Sequence, residues 1–438
     1  MIKIVSTLRS ASLDVWLLWF SISLRMFGFG LTNQVLVLFL QSIEISESKI
    51  GWFMTLTLVG DVLISYFLSW NADLIGRRRV LIAGTLMMIA SGGIFAYSSN
   101  YLLLLVSAIV GVISPSGDET GPFKTIEEAS IAHLTPHEHR PEVFAFHGLY
   151  GTFGNALGSL FCGIIIDYLN LTLQWDLLSC YRVIFIMYTF IGIIKFFIMI
   201  SLSKNCEVDD LDLSDDDDFV EDNDETTPLT GNQRNVEAID AGSTWNVASR
   251  LLVVFFLDSL GYGFMPASWV VYYFKVVFEI SASLLGTLFF ITSIVNVGTT
   301  LPSAVLAKLL GPVKAIIAVQ APSVIFFMLI PFMKRFFPSA VLLVLYYATT
   351  TMDVVPRQIL LTSVVKKEDL TKVMGTVNTV KTFARCVGPV FVGKLAEIDK
   401  LSFGFFISGI FTLLADVVLG ISFVNLDSKI LQKQRSST

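Results

Sequence analysis

Thirteen ionisable side chains sit inside long apolar stretches of this chain: Arg25, Asp61, Asp118, Glu119, Lys124, Arg182, Lys195, Asp258, Asp353, Arg357, Lys381, Arg385 and Asp416. At the centre of a bilayer each would cost about 2.5–3.5 kcal/mol, so such groups mark a cavity, a pathway or an ion pair. Six acids stand against seven bases, a balance that favours mutual pairing over a pore lined by one sign. The chemistry open to them is proton exchange and the holding of a polar solute. No Walker loop, Ser-His-Asp order or metal-ligand cluster lies inside an apolar stretch. Hydrolytic, redox and cofactor chemistry therefore find no support, and no cofactor is expected.

The densest group runs from Ser114 to Glu128. Pro115, Gly117, Gly121 and Pro122 loosen a helix there and free backbone carbonyls, which a membrane tolerates only beside a cavity. Asp118 and Glu119 are adjacent, so on a helix they point about 100° apart and cannot act as one paired site. Two readings stand. Either Glu119 is a protonatable coupling group facing the cavity with Asp118 toward a neighbouring helix, or both bond to Arg25, Arg182 or backbone and hold the bundle together. Lys124 closes the same stretch.

In the second half Asp353 and Arg357 are four apart and can close a local ion pair. Asn378, Lys381 and Arg385 recur at three and four, which puts them on one helical face with Gly388. Such a polar stripe should face the bundle interior. Asp61, Asp118, Glu119, Asp258 and Asp416 are the carboxylates for a proton-coupling hypothesis. His133 and His137 are also four apart, beside His139, and could hold a divalent cation. Between Thr135-Pro136 and Arg140-Pro141 they read as a solvated turn, and no metal is expected. His147 opens the face Gly148, Gly151, Gly154 and Gly158, a spacing that lets helices approach closely.

These residues need apolar helices to position them, and the composition supplies little else. Of 438 residues 54% are hydrophobic and 15% charged, with a mean hydropathy of +0.71. Soluble chains carry roughly a quarter charged residues. Apolar runs near the length of a bilayer core fall at 15–41, 50–70, 79–98, 101–124, 143–167 and 180–202. Six more fall at 245–274, 284–307, 313–332, 338–361, 373–395 and 402–424. The first run contains Arg25 and has no small-residue cleavage site after it, so it reads as a retained helix. The expectation is an all-α membrane protein of twelve transmembrane helices.

The total charge of −6 hides a split. Residues 203–243 hold fourteen acids against Lys204 and Arg234, a net of −12, which leaves +6 for the rest. High charge and few aromatics make that segment a disordered linker. It carries a weak kinase signal at Ser214. Positive loops at Arg77–Arg79, Arg140, Lys308, Lys314, Lys366, Lys367 and Lys372 place both termini in the cytoplasm. Asn170-Leu171-Thr172 is then a glycosylation sequon on the far side. No basic stripe exists outside the loops, so no nucleic-acid partner is implied. Cys162, Cys180 and Cys386 read as packing residues, Cys206 as a loop thiol, and no disulfide is expected.

An internal repeat divides the chain. Val143, Thr152, Phe153, Gly158, Phe161 and Gly163 return 230 residues later as Val373, Thr382, Phe383, Gly388, Phe391 and Gly393. The expected domains are residues 1–202, an acidic linker 203–243, and residues 244–438 with a short cytoplasmic tail.

Between the second and third runs lie Asp73, Gly76, Arg77, Arg78 and Arg79. Gly76 permits a sharp turn and the arginines belong on the positive side. This hairpin resembles the signature of the major facilitator superfamily of transporters, Gly-x-x-x-Asp-(Arg/Lys)-x-Gly-Arg-(Arg/Lys)-(Arg/Lys). Ser69 replaces the leading glycine and Leu74 the first basic residue. The stretches around Asp118, Asp353 and Lys381 resemble a bacterial and fungal branch known mostly as uncharacterised or drug-efflux-like.

The resemblance implies two six-helix bundles with pseudo-two-fold symmetry and a site at their interface near the midplane. It also implies that Asp73 engages helix ends when the cytoplasmic side is shut, with the arginines pairing with nearby acids. The expected function is secondary active transport of a small organic solute by alternating access, coupled to protons, in a monomer held by the lipid bilayer. The alternative is a membrane sensor or scaffold with the acidic loop as partner tail. The sequence does not choose between plasma membrane and vacuolar or other internal membranes.

Overall fold

The computed structural model of the protein describes residues 12–111, 113, 122–136, 139–203, 206–207, 244–365 and 367–427, and these are helical throughout apart from short connections. Asp118, Glu119, His137 and nearly all of the acidic linker lie outside the described residues, as does the side chain of Asp73. The first half supplies α1 (Leu13–Ser42), α2 (Glu47–Ile75), α3 (Arg77–Tyr97), α4 (Tyr101–Val110), α5 (Pro122–Leu134), α6 (Arg140–Asp167) and α7 (Leu177–Ser201). The second supplies α8 (Thr244–Phe264), α9 (Ala267–Phe278), α10 (Ala282–Leu310), α11 (Pro312–Leu329), α12 (Phe336–Thr350), α13 (Val354–Val364), α14 (Lys367–Glu397) and α15 (Ser402–Phe423).

Polar side chains set several starts. Asn100 accepts from Leu102 and Leu103 N–H at 3.0 and 3.2 Å, and Asp176 accepts from Ser179 N–H at 2.9 Å. Each satisfies amides that have no partner within the helix. Gly76, at φ 99°, ends α2 and begins α3 within one residue, a left-handed conformation that a side chain disfavours. Gly311, at φ 87°, does the same between α10 and α11.

Ten helices among the described residues are long and apolar enough to cross a membrane. The fourth expected span departs from the sequence reading. A run ending near 124 was expected, whereas α5 opens at Pro122 and continues to Leu134. The polar residues beyond 124 find partners inside the bundle, as Glu127 does with Arg25 and Lys195, so polarity does not end the helix. The eleventh expected span is the 31-residue α14, whose charges keep it from registering as apolar.

The helices gather into two compact units. One holds the first half together with Ala267–Phe290; the other holds the chain up to Pro266 from the linker and everything from Ile291 onward. In the first unit α1 packs against α6 at backbone distance. A side chain at Gly154 or Gly158 would strike the carbonyl of Ser23 or Phe27. Gly151 meets Ile22, while Gly148 has open space, so three of the four expected small residues serve the contact. Phe95 and Phe185 pack at 4.7 Å and Phe39 and Phe185 at 5.0 Å in its apolar centre.

In the second unit Gly263 of α8 and Gly388 of α14 meet backbone to backbone. Leu251, Phe255, Ile316, Leu360, Val377 and Phe423 form part of an apolar core in the same unit.

Candidate functional site

Among the described residues, each unit buries a network of charged side chains. In the first, Glu127 of α5 has no exposed surface and faces two cations. Arg25 of α1 makes a close ion pair with its Oε2, and Lys195 of α7 lies 3.2 Å from its Oε1. Ser21 donates to the same carboxylate at 3.0 Å. Three helices therefore meet on one carboxylate, an arrangement that compensates the cost of burying each charge. His147 of α6 is 2% exposed and lies within the field of these charges. Lys124 stands one turn before Glu127, and Asp61 of α2 is buried.

The second unit centres on Arg357 of α13. Its Nη1 donates to Asp258 Oδ2 of α8 at 2.7 Å, and its Nη2 to Gln320 Oε1 of α11 at 2.9 Å. Gln320 Nε2 donates in turn to Asp258 Oδ1, which closes a ring of three side chains. Arg357 Nε lies 2.5 Å from Asp353 Oδ2, the four-residue pair expected from the sequence. Lys381 and Arg357 both lie over the ring of Phe255, at 5.9 and 5.7 Å. Arg385 lies 4.8 Å from the ring of Tyr262. The stripe of Lys381, Arg385 and Gly388 thus faces α8, inside the unit. Asn378 occupies the turn before Lys381 and is partly buried.

The hairpin forms a third site. Arg77 donates to the Ala129 carbonyl at 3.3 Å, Arg78 to the Ile200 carbonyl, and Arg79 to the Ile75 carbonyl at 3.4 Å. The carboxylate of Glu207 lies against the α-carbon of Gly76. Asp14 accepts from the Ser203 N–H at 2.9 Å and from its hydroxyl at 2.6 Å, fastening the segment after α7 beneath α1. Cys206, expected in an open loop, is instead buried here. Burial, with Asp14 and Glu207 nearby, pushes its thiol up to about 12. All four cysteines are free. The second-half counterpart keeps the turn and an acid: Asp427 accepts from the Val313 and Lys314 N–H groups, each at 2.9 Å, beside Gly311.

The sequence points to Lys195 as a charge inside an apolar run but passes over Glu127 and Gln320. Glu127 stood past the end of the expected span, and Gln320 carries no charge to draw notice in an apolar run. Arg182, counted among the buried charges, lies at the start of α7 and donates to Ser99 at 3.0 Å.

Residues 18–206 and 251–437 match the sequence profile of the Major Facilitator Superfamily. The chain belongs to the major facilitator superfamily. It is accordingly a multi-pass membrane protein of a transporter family, not an enzyme. The uncharacterized membrane protein YJR124C of Saccharomyces cerevisiae is 50% identical over 432 residues, 96% of each chain. The quinolone resistance protein NorA of Staphylococcus aureus is 24% identical over 145 residues, 33% of this chain and 36% of that one.

Among solved structures, a bacterial homolog of the human lysosomal transporter Spinster, inward-facing and unoccupied, aligns with a TM-score of 0.71 at 12% identity, covering 96% of this chain and 97% of that one. The D-xylose-proton symporter aligns with a TM-score of 0.66 at 14% identity over 92% and 97%. At these identities the likeness is one of fold.

Proposed function

We propose that this superfamily member is a secondary active transporter that moves a small organic solute by alternating access, with proton movement coupled to it. The observation that carries the reading is the pair of buried ion networks, one in each unit, built from helices of a transporter family. Charges on membrane helices are retained where they serve a pathway or a relay. Solved structures of similar fold include a sugar–proton symporter and an organic anion transporter, which supports a polar organic solute. In this reading α4 with α5, and α14, are the two crossings that complete twelve in two six-helix bundles. The positive loops keep both termini cytoplasmic. Asp73 serves as the cytoplasmic latch, and Asp73→Asn cuts flux while expression holds.

The test begins with a thermal-shift screen of the purified full chain against organic solutes, since a ligand that binds the folded state raises its midpoint. Hits are then tried in proteoliposomes with an imposed pH gradient. Solute accumulation driven by that gradient supports the reading. Flux that ignores the gradient makes the protein a facilitator. No flux, with loss of a partner when 210–240 is deleted, would make it a scaffold.

A further inference from the structure

The ring around Arg357 leaves one nearby carboxylate oxygen without a donor. Asp416 of α15 is 5% exposed, and its Oδ2 is buried with no hydrogen-bond partner among the described residues. Its place follows from helix register. Gly261 of α8 backs onto the Ser408 carbonyl and Thr412 of α15. One turn back along α8 is Asp258, and one turn onward along α15 is Asp416, so two carboxylates stand opposite each other across the pair. Arg357, Asp258 and Asp353 all act electrostatically on Asp416.

The charged and polar groups facing it can be named for each packed element. From α8 comes Asp258, from α13 Arg357, from the turn before α13 Asp353, and from α14 Lys381, whose charge reaches Asp258 and Asp353. From α11 comes only neutral Gln320; the one charge of that helix, Lys314, lies in its first turn. Nη1 and Nη2 of Arg357 already donate to Asp258 and Gln320, and its Nε lies at ion-pair distance from Asp353.

We infer that Asp416 is the carboxyl that takes up and gives back the coupled proton, and that Arg357 is the counter-ion for which it competes with Asp258 and Asp353. The inference deepens the transport reading and rests on it. Three carboxylates stand against two cations, Arg357 and Lys381, so the set carries −1. A proton taken from water converts the Asp416 carboxylate to a neutral acid and brings the set to zero. A buried carboxylate with an oxygen lacking a donor, and with its counter-ion already held by two other acids, is costly, whereas the neutral acid is far less so.

When the proton returns to water, Asp416 must draw Arg357 from Asp353 or Asp258, or be wetted. Drawing Arg357 from Asp258 breaks a contact that ties α13 to α8. Proton release is thereby tied to movement of a helix, because both act on the same guanidinium.

The test uses infrared difference spectroscopy of the full chain in lipid as pH is stepped, in water and in deuterium oxide. The wild type should show a carbonyl-stretch band of a carboxylic acid that comes and goes with pH and shifts in deuterium oxide. Asp416→Asn should lose that band while remaining monodisperse and fully helical, and Asp416→Glu should regain it at a shifted frequency. No titrating band in the wild type, an unchanged band in Asp416→Asn, or a band that Asp416→Glu does not restore each overturns the assignment. The spectrum is read without any solute, so its failure is distinct from an absence of flux in vesicles.

Discussion

At the end of α6, Asp167 holds the start of α10. Its Oδ1 accepts from the Ala282 N–H at 3.0 Å and its Oδ2 from the Ser283 N–H at 2.8 Å. Ser283 returns a hydrogen bond to the Gly163 carbonyl at 3.3 Å. Gly163 and Gly286 are the small residues that let the two backbones meet. All of this lies inside the first unit, yet α10 continues past Phe290 into the second as one helix. Asp167→Asn keeps one carbonyl acceptor and loses the other acceptor and the charge. A hydrogen bond to a charged group contributes about 1.5–3 kcal/mol and a charge at a helix N-terminus about 0.3–1.

Partial exposure of Asp167 reduces the sum to about 1–3 kcal/mol, or about 5- to 150-fold in the population of the anchored state. Spin labels at Leu171 and Leu284, both on the exposed surface, report the α6–α10 spacing by double electron–electron resonance. The native thiols are buried and should not compete for label. The variant should gain a longer-distance population that the wild type lacks. Distance distributions that coincide would refute the anchoring role.

Three other outcomes follow from the buried groups. Glu127→Gln strips the counter-charge from Arg25 and Lys195 and should lower stability by about 3–5 kcal/mol in detergent unfolding; a loss under 1 kcal/mol would show that other groups neutralise these cations. Cys206 should resist maleimide at neutral pH in the folded protein and react on unfolding, because burial raises its thiol to about 12. Burial also pushes the Asp427 carboxyl above its ordinary range, against the pull of the Val313 and Lys314 N–H groups. The folded chain then binds that proton more tightly than the unfolded one. The wild-type unfolding midpoint should therefore rise relative to Asp427→Asn as pH falls, and a gap of the opposite sign would contradict it.

What the sequence made legible was local. Gly76 was readable because only a sharp turn fits an acid and three arginines between two apolar runs. Asp353 and Arg357 were readable because four residues of helix bring them together. Gly154 and Gly158 were readable because small residues at helical spacing imply close backbones. What stayed hidden depends on residues far apart in the chain. Asp258 and Gln320 reach Arg357 from 99 and 37 residues away, and Glu127 meets Arg25 across 102. Periodicity gives the face of one helix but not the identity of the helix opposite it. The sharing of Ala267–Phe290 with the first unit has the same cause, since no composition shift marks Pro266 or Phe290.

The two glycine turns show how a repeat can lose its letters and keep its physics. Near Gly311 the arginines and leading acid of the first hairpin are gone, so by sequence the second copy looks decayed. The structure keeps an acid at each turn, supplied from beyond the last helix of each half: Glu207 against Gly76 and Asp427 against Gly311. In both places the acid lies at the first residues of a helix, where unpaired N–H groups and the helix dipole favour negative charge. A motif confined to the hairpin cannot register a partner that arrives more than a hundred residues later. The N-terminus of α11 needs an anion whether or not arginines flank it, and Asp427 meets that need with two hydrogen bonds. Conserving the electrostatic requirement while exchanging the residues around it is what makes the second hairpin hard to read and still functional as a helix anchor.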